Sequence, residues 1–253
     1  MGRVLAVANQ KGGVGKTTTV INVAAYLAET GRRVLAVDID PQGNTTTGLG
    51  VAKEAQETSI YDVLLENAPV ADAVAATPVP SLHVIPATLD LAGAEVELTA
   101  MPQRESRLKT ALAPIRGRYD FVLVDCPPSL GLLTVNALTA ADGVLIPIQC
   151  EFFALEGLSQ LLATIERVRR GLNPSLEVEG VVLTMYDART NLSSQVAKEV
   201  RDHFGAKVYQ AVIPRAVRLS EAPSHGQPIS QYDPKSKAAL VYAQLAREVM
   251  GSG

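Results

Sequence analysis

The run Arg3-Val4-Leu5-Ala6-Val7-Ala8-Asn9-Gln10-Lys11-Gly12-Gly13-Val14-Gly15-Lys16-Thr17-Thr18 decides the architecture. An aliphatic strand leads into a glycine-rich turn, and a helix pattern over residues 16–30 opens directly behind it. In that context the turn reads as a phosphate-binding loop. Glycine lets successive backbone N–H groups point inward at phosphate oxygens, and the helix N-terminus adds partial positive charge. Gly12, Gly13, Val14, Gly15 and Thr18 would form the cradle. Lys16 would sit as a point charge on the β- and γ-phosphates of a nucleotide, and the Thr17 hydroxyl would hold Mg2+. The loop departs from the usual G-x-x-x-x-G-K-[ST] pattern: Gln10 stands where a glycine is expected, and a second lysine, Lys11, follows it.

Outward from this loop, short aliphatic runs alternate with helix patterns. Strands are expected at 3–8, 33–38, 82–86, 120–125, 143–148, 178–184 and 207–213. Helices are expected at 16–30, 103–115, 131–140, 154–171, 192–204 and 235–250, with weak ones at 59–66 and 70–76. Most strands are continuous apolar runs, as parallel strands covered on both faces require. The reading is α/β: a mostly parallel twisted sheet with helices on both faces, of P-loop NTPase type. No linker-like stretch divides the chain, so residues 1–253 are expected to form a single domain.

Composition narrows the classes. A chain of 253 residues that is 47% hydrophobic and 19% charged is too apolar to be disordered. Aromatics are only 4%, with no Trp, so the core must be aliphatic. Cys126 and Cys150 cannot build a disulfide framework, which points to a reduced intracellular setting. Val4–Ala8 is too short for a signal peptide. Residues 126–150 carry a single charge, Asp142, but Pro127, Pro128, Asn136 and Pro147 interrupt them, so they read as buried rather than membrane-spanning. A soluble protein is expected.

Two more aliphatic strands end in carboxylates, in Asp38-Ile39-Asp40-Pro41-Gln42-Gly43-Asn44 and Asp125-Cys126-Pro127-Pro128-Ser129. Ligands of parallel α/β sheets bind beyond the carboxyl ends of the strands. Asp125 is therefore a Walker B candidate that would orient Mg2+ through water, with Asp40 also near the metal. Asp38 reads equally as a functional carboxylate or as a structural partner of the loop. His83, His203 and His225 lack metal-ligand spacing.

These residues resemble the ParA-type partition ATPases of the deviant Walker A group, the Soj-like proteins. The loop, both carboxylate segments and the stretches 183–192 and 213–226 all match, so the resemblance runs from residue 3 to about 248. One departure is Ala216, where relatives often carry Asn, and no side-chain contact is carried over there. The resemblance implies an ATP- and Mg2+-dependent ATPase in which two subunits sandwich two ATP molecules. Lys11 would reach the partner's nucleotide as a catalytic cation beside Lys16, and Asp40 would orient the attacking water. An ordinary Asp is a poor base at neutral pH, so slow intrinsic turnover is expected. Met185, Pro214, Arg215 and Val217 would lie near the adenine.

The net charge of −3 argues against nucleic acid when taken whole. Its distribution does not: Arg189 to Arg218 holds six basic residues against Glu199 and Asp202. The resemblance implies non-specific double-stranded DNA binding through Arg189 and Arg218, and Lys198, Arg201 and Lys207 extend that strip. It also implies a ParB-type centromere-binding partner that stimulates hydrolysis, a cytoplasmic, nucleoid-associated location and no membrane contact. The first strand begins almost at Met1, so no operator-binding helix-turn-helix is expected ahead of it. Two competing readings are a MinD-like membrane-positioning ATPase and a metabolic enzyme of the same superfamily, such as an amide ligase or iron–sulfur ATPase. The first needs a basic amphipathic C-terminal helix, and the missing paired cysteines weigh against the iron–sulfur case.

Overall fold

A computed structural model describes residues 2–151 and 156–251. The aliphatic runs fold as β1 (Arg3–Val7), β2 (Val34–Asp38), β3 (Ala75–Ala76), β4 (Leu82–Ile85), β5 (Phe121–Asp125), β6 (Gly143–Gln149), β7 (Glu177–Tyr186) and β8 (Val208–Pro214). They form one sheet in the order β3-β4-β2-β5-β1-β6-β7-β8. Every pairing is parallel except the two-residue β3, which runs antiparallel to β4.

Between the strands lie α1 (Lys16–Glu29), α2 (Asn44–Gly48), α3 (Leu91–Thr99), α4 (Arg107–Arg116), α5 (Leu132–Ala140), α6 (Glu156–Gly171) and α7 (Asn191–Phe204). The chain closes with α8 (Arg218–Glu221), α9 (Ile229–Tyr232) and α10 (Lys237–Gly251). Side chains alternate across the sheet and divide the core in two. Val4, Ala6, Leu35, Val37, Val122 and Val124 pack on one face beneath α3 to α7. Leu5, Val7, Val34, Ala36 and Leu123 pack on the other, against α1 and α10. Burial on both faces is why these strands read as continuous apolar runs.

Several expectations need correction. Residues 70–76 are turns followed by β3, because Ala75 and Ala76 pair with Val84 and His83. The helix expected from 103 begins at Arg107, because Gln103 has a left-handed φ of 53° and 101–106 form turns. Helix α3 was not expected, although Leu91, Ala94 and Leu98 have the spacing of one buried face. The weak helix over 59–66 is real at 62–66 as a π-helical turn. The start expected for α6, at 154 and 155, lies outside the described residues.

The order of the sheet creates the crevice. From β1 the chain moves one way to β2, and from β5 it crosses to the other side as β6, so connections diverge above the carboxyl end of β1. Above this crevice α2 docks on the turn at 222–225, where Gly50 and Gly226 meet. Gly226 has φ +63°, and a Cβ there would lie 2.9 Å from the Gly50 Cα. Gly226→Ala is therefore expected to destabilise the fold by about 1–2 kcal/mol from the left-handed backbone alone, with more from the lost approach. Urea unfolding of both proteins measures it, and equal midpoints would refute the contact.

Candidate nucleotide site

The glycine-rich loop sits on the C-terminal end of β1 as the motif requires. Asn9 anchors its start: Nδ2 donates to the Pro147 carbonyl at 2.7 Å, and Oδ1 accepts the Lys11 N–H at 3.0 Å. Thr184 of β7 fixes its far end by donating to the Val14 carbonyl at 2.8 Å. Gly15 has φ 92°, a conformation costly for other residues, and no side chain caps α1 behind it. The first N–H groups of a 14-residue helix thus face the loop with no acidic residue in the first turn.

The two lysines of the loop part company. Lys16 is 93% buried, and its Nζ donates to the Lys11 carbonyl at 3.2 Å. Burial lowers its pKa, opposed chiefly by the attraction of Asp125 and less by that of Asp40. Lys11 is half-buried on the rim, and its ammonium has no hydrogen-bond or ion-pair partner among the described residues.

Opposite the loop, sheet register places Asp38 beside Asp125. Both are fully buried. Oδ2 of Asp125 accepts the hydroxyls of Thr17 and Thr45, each at 2.7 Å. Oδ2 of Asp38 accepts the N–H and hydroxyl of Thr46 at 2.8 and 2.7 Å, while Oδ1 accepts the Asp40 N–H at 3.2 Å. Burial raises the pKa of both carboxyls, and repulsion from Asp38 raises that of Asp125 further. The short helix α2 therefore supplies hydrogen-bond donors to both. Asp40 follows on the same segment, its Oδ1 accepting the Gln42 N–H at 3.0 Å.

Asp125 Oδ1 is buried with no hydrogen-bond partner among the described residues. An orphaned carboxylate oxygen, on a side chain that accepts the Thr17 hydroxyl and attracts the buried Lys16, fits a hydrated Mg2+ on a nucleotide phosphate. Thr17, Asp125 and Asp40 are the residues that could hold it. Cys126 and Cys150 are buried with their thiol pKa values raised by burial. Among the described residues no three His, Cys, Asp or Glu side chains converge as a metal-holding group.

A cavity of about 350 Å3 opens beside Gly15 and Thr18, bounded by Met185, Pro214, Arg215, Val217 and Tyr242. The segments 183–186 and 213–217 meet there because Arg215 donates its N–H to the Tyr186 carbonyl at 3.0 Å. This places the four expected base-proximal residues in one wall.

The basic strip divides. Arg189 and Arg201 line one cleft with Arg215 and Lys237. Arg218, on α8, pairs with Glu221 at 3.0 Å and lies 5.8 Å over the Tyr232 ring. Lys198 pairs with Asp202 on the exposed face of α7. Lys207 lies elsewhere, at the N-terminal end of β8, where Nζ donates to the Val178 carbonyl at 2.7 Å. Thirty residues adjacent in sequence thus span both ends of a strand, and Lys207 is not part of one continuous patch. Sequence reasoning missed Asn9, Thr45, Thr46 and Thr184. The run Asn44-Thr45-Thr46-Thr47 behind the Asp40 turn was the available signal for two of them.

Residues 2–178 match the family model described as an AAA domain. The chain is 60% identical over 253 residues to the sporulation initiation inhibitor protein Soj of Bacillus subtilis, covering all of both chains. It is 62% identical over 250 residues to the chromosome partitioning protein ParA of Caulobacter vibrioides, covering 98% of this chain and 94% of that one. Among solved structures, a cobyrinic acid a,c-diamide synthase from Mycobacterium smegmatis with bound ADP and magnesium is 44% identical, with a TM-score of 0.87 over 99% of this chain and 94% of that chain. Among the described residues no helix is long and apolar enough to cross a membrane.

The buried carboxylates yield a stability test. Their folded-state pKa values lie above the unfolded value near 3.9. The unliganded fold is therefore favoured while the protons are on, and that stability is lost as pH rises through the raised range. Asp125→Asn removes the repulsion, so its gain in Tm over the wild type should be larger at pH 8 than at pH 5, by about 2–4 °C for each kcal/mol relieved. Calorimetry of the unliganded proteins checks this, and a gain equal at both pH values would contradict the repulsion.

Proposed function

The chain belongs to the Soj/ParA partition ATPases, and from that premise we propose that it is a Mg2+-dependent, ATP-driven DNA-segregation switch formed by one domain spanning the chain. The observation that carries the reading is the divergence of the two loop lysines: one turns inward to its own loop, while the ammonium of the other has no partner among the described residues.

In this reading the N–H groups of Gly12, Gly13, Val14, Gly15, Lys16, Thr17 and Thr18 bind the phosphates of ATP, and Lys16 lies against the β- and γ-phosphates. Met185, Pro214, Arg215 and Val217 hold the base. Mg2+, held by Thr17 and through water by Asp125 and Asp40, would neutralise phosphate charge. Asp125 stays ionised once the cation offsets its repulsion with Asp38. Asp40 orients the attacking water, and without a strong base the intrinsic rate is slow.

Lys11 acts in trans. Two such loops facing one another are mutually repulsive until γ-phosphates lie between them, so the homodimer forms only with ATP. The lysine then stabilises charge on the transferring phosphoryl group in the partner, as an arginine finger does. The ATP dimer binds double-stranded DNA without sequence preference through Arg189, Arg201 and Arg218. A ParB-type partner stimulates hydrolysis and releases it. The protein works in the cytoplasm, on the nucleoid. A MinD-like membrane role would need a free amphipathic C-terminal helix. Here α10 buries Ala238, Ala239, Tyr242, Leu245, Ala246 and Val249 in the core. Phosphate release that needs DNA and partner protein, but no amide donor, separates the partition reading from an amide ligase.

Asp40→Ala is expected to slow hydrolysis on the order of 100-fold while trapping the ATP dimer on DNA. Light scattering with ATP and random-sequence duplex reads both states, and a variant that stays monomeric with ATP overturns the switch role. Lys11→Ala should retain ATP binding by a monomer yet lose ATP-dependent dimerisation. Sedimentation with a non-hydrolysable analogue checks it, and an unchanged dimer rules out the trans contact.

A further inference from the structure

A cleft of about 700 Å3 lies beside β8, the last strand of the sheet, between residues of α7 and α10. Its lining carries four cations, Arg189, Arg201, Arg215 and Lys237, against a single carboxylate, Asp187. Asp187 grips Arg189 at three points. Oδ1 accepts its backbone N–H at 3.0 Å and its Nε at 2.9 Å, and Oδ2 accepts Nη2 at 2.7 Å. Arg215 pairs with Glu151, and Arg218 with Glu221. Arg201 and Lys237 have no ion-pair partner among the described residues. The three arginines of the two loops at this end of the sheet are thus each engaged by a carboxylate before any ligand arrives.

The Nε–Nη2 fork that Asp187 occupies is the one a phosphate would take, because both anions present two oxygens in the same plane. The Arg189 side chain is 87% exposed, so its pair is screened by water and exchangeable. We propose that Asp187 sets this protein's affinity for nucleic-acid phosphate by competing for the Arg189 fork, with Glu221 doing the same for Arg218. The inference rests on the DNA-binding reading and adds its control: at Arg189 and Arg218 DNA is bound by exchange of carboxylate for phosphate, beside the unpaired Arg201. An electrically neutral Asp187–Arg189 pair contributes little to counterion release, whereas a lone Arg189 contributes one charge.

Asp187 also forms the turn ahead of α7, where its carboxylate accepts the Arg189 N–H and Thr190 caps the helix through Ser193. Asparagine supports that turn equally well. Asp187→Asn therefore removes the charge and keeps the geometry. The test is a salt titration of full-length protein with a non-hydrolysable ATP analogue and random-sequence duplex. The variant should bind about tenfold more tightly near 0.1 M salt, with the slope of log K against log salt steeper by about one per protomer. Glu221→Gln, on α8, should shift affinity the same way by a smaller factor, because Asp233 also faces Arg218. It decides the matter if the Asp187 variant does not fold. Adding Arg189→Gln to Asp187→Asn should abolish the gain. Wild-type binding with no tightening and no change of slope in either variant overturns this inference alone. No wild-type retention of DNA at low salt overturns the DNA reading, and this inference with it.

Discussion

Two carboxylates stand side by side at the ends of adjacent strands, without solvent, and the crevice is organised around them. Asp38 and Asp125 are placed in register by the pairing of β2 with β5, and neither is exposed. Burial favours the protonated form of each, with repulsion from Asp38 adding to it at Asp125 and repulsion from Asp40 at Asp38. Their charge is tolerable only beside donors and cations, and the surrounding structure supplies both. Thr45 and Thr46 of α2, Thr17 of α1 and the buried Lys16 all converge on this pair. In the proposed function, a bound cation would relieve this repulsion and so favour the liganded fold.

That arrangement explains why α2 exists. Five residues make a poor helix alone, and Gly43 ahead of it has φ 60° with no side-chain cap. Its threonine hydroxyls and N–H groups close onto Asp38 and Asp125, and the close approach of Gly50 to Gly226 holds its far side. The segment carrying Asp40 is therefore fastened at both ends by the site it serves. Thr45 joins this segment to Asp125, its hydroxyl donating to Oδ2 at 2.7 Å.

The cavity beside Gly15 and the basic cleft share a wall, Pro214 and Arg215, for a related reason. Segments 183–189 and 213–218 leave adjacent parallel strands, and the Arg215-to-Tyr186 hydrogen bond joins them. Met185 borders the cavity with a left-handed φ of 51°, an uncommon conformation outside glycine. Four residues further on, Arg189 enters the cleft. In the proposed mechanism this adjacency puts nucleotide and DNA contacts on the same two loops.

The amino-acid sequence by itself determined the class of fold and the phosphate loop. Continuous aliphatic runs, glycine spacing and the Lys16-Thr17 pair are local properties, and the helix and strand beside the loop follow from short-range periodicity. It also marked Asp38, Asp40 and Asp125 as strand-end carboxylates, though it left Asp38 with two readings. Only the tertiary structure shows which donors Asp38 holds, since its partner Thr46 is eight residues away and turned back by α2. Tertiary packing also decided which cations act together. Charge counted along the chain put Lys207 with Arg189, but the length of β8 separates them, while Lys237 comes in from α10. Charge patterns along a sequence record composition, whereas the potential at a surface depends on distances through space and on the carboxylates that fold back onto each arginine.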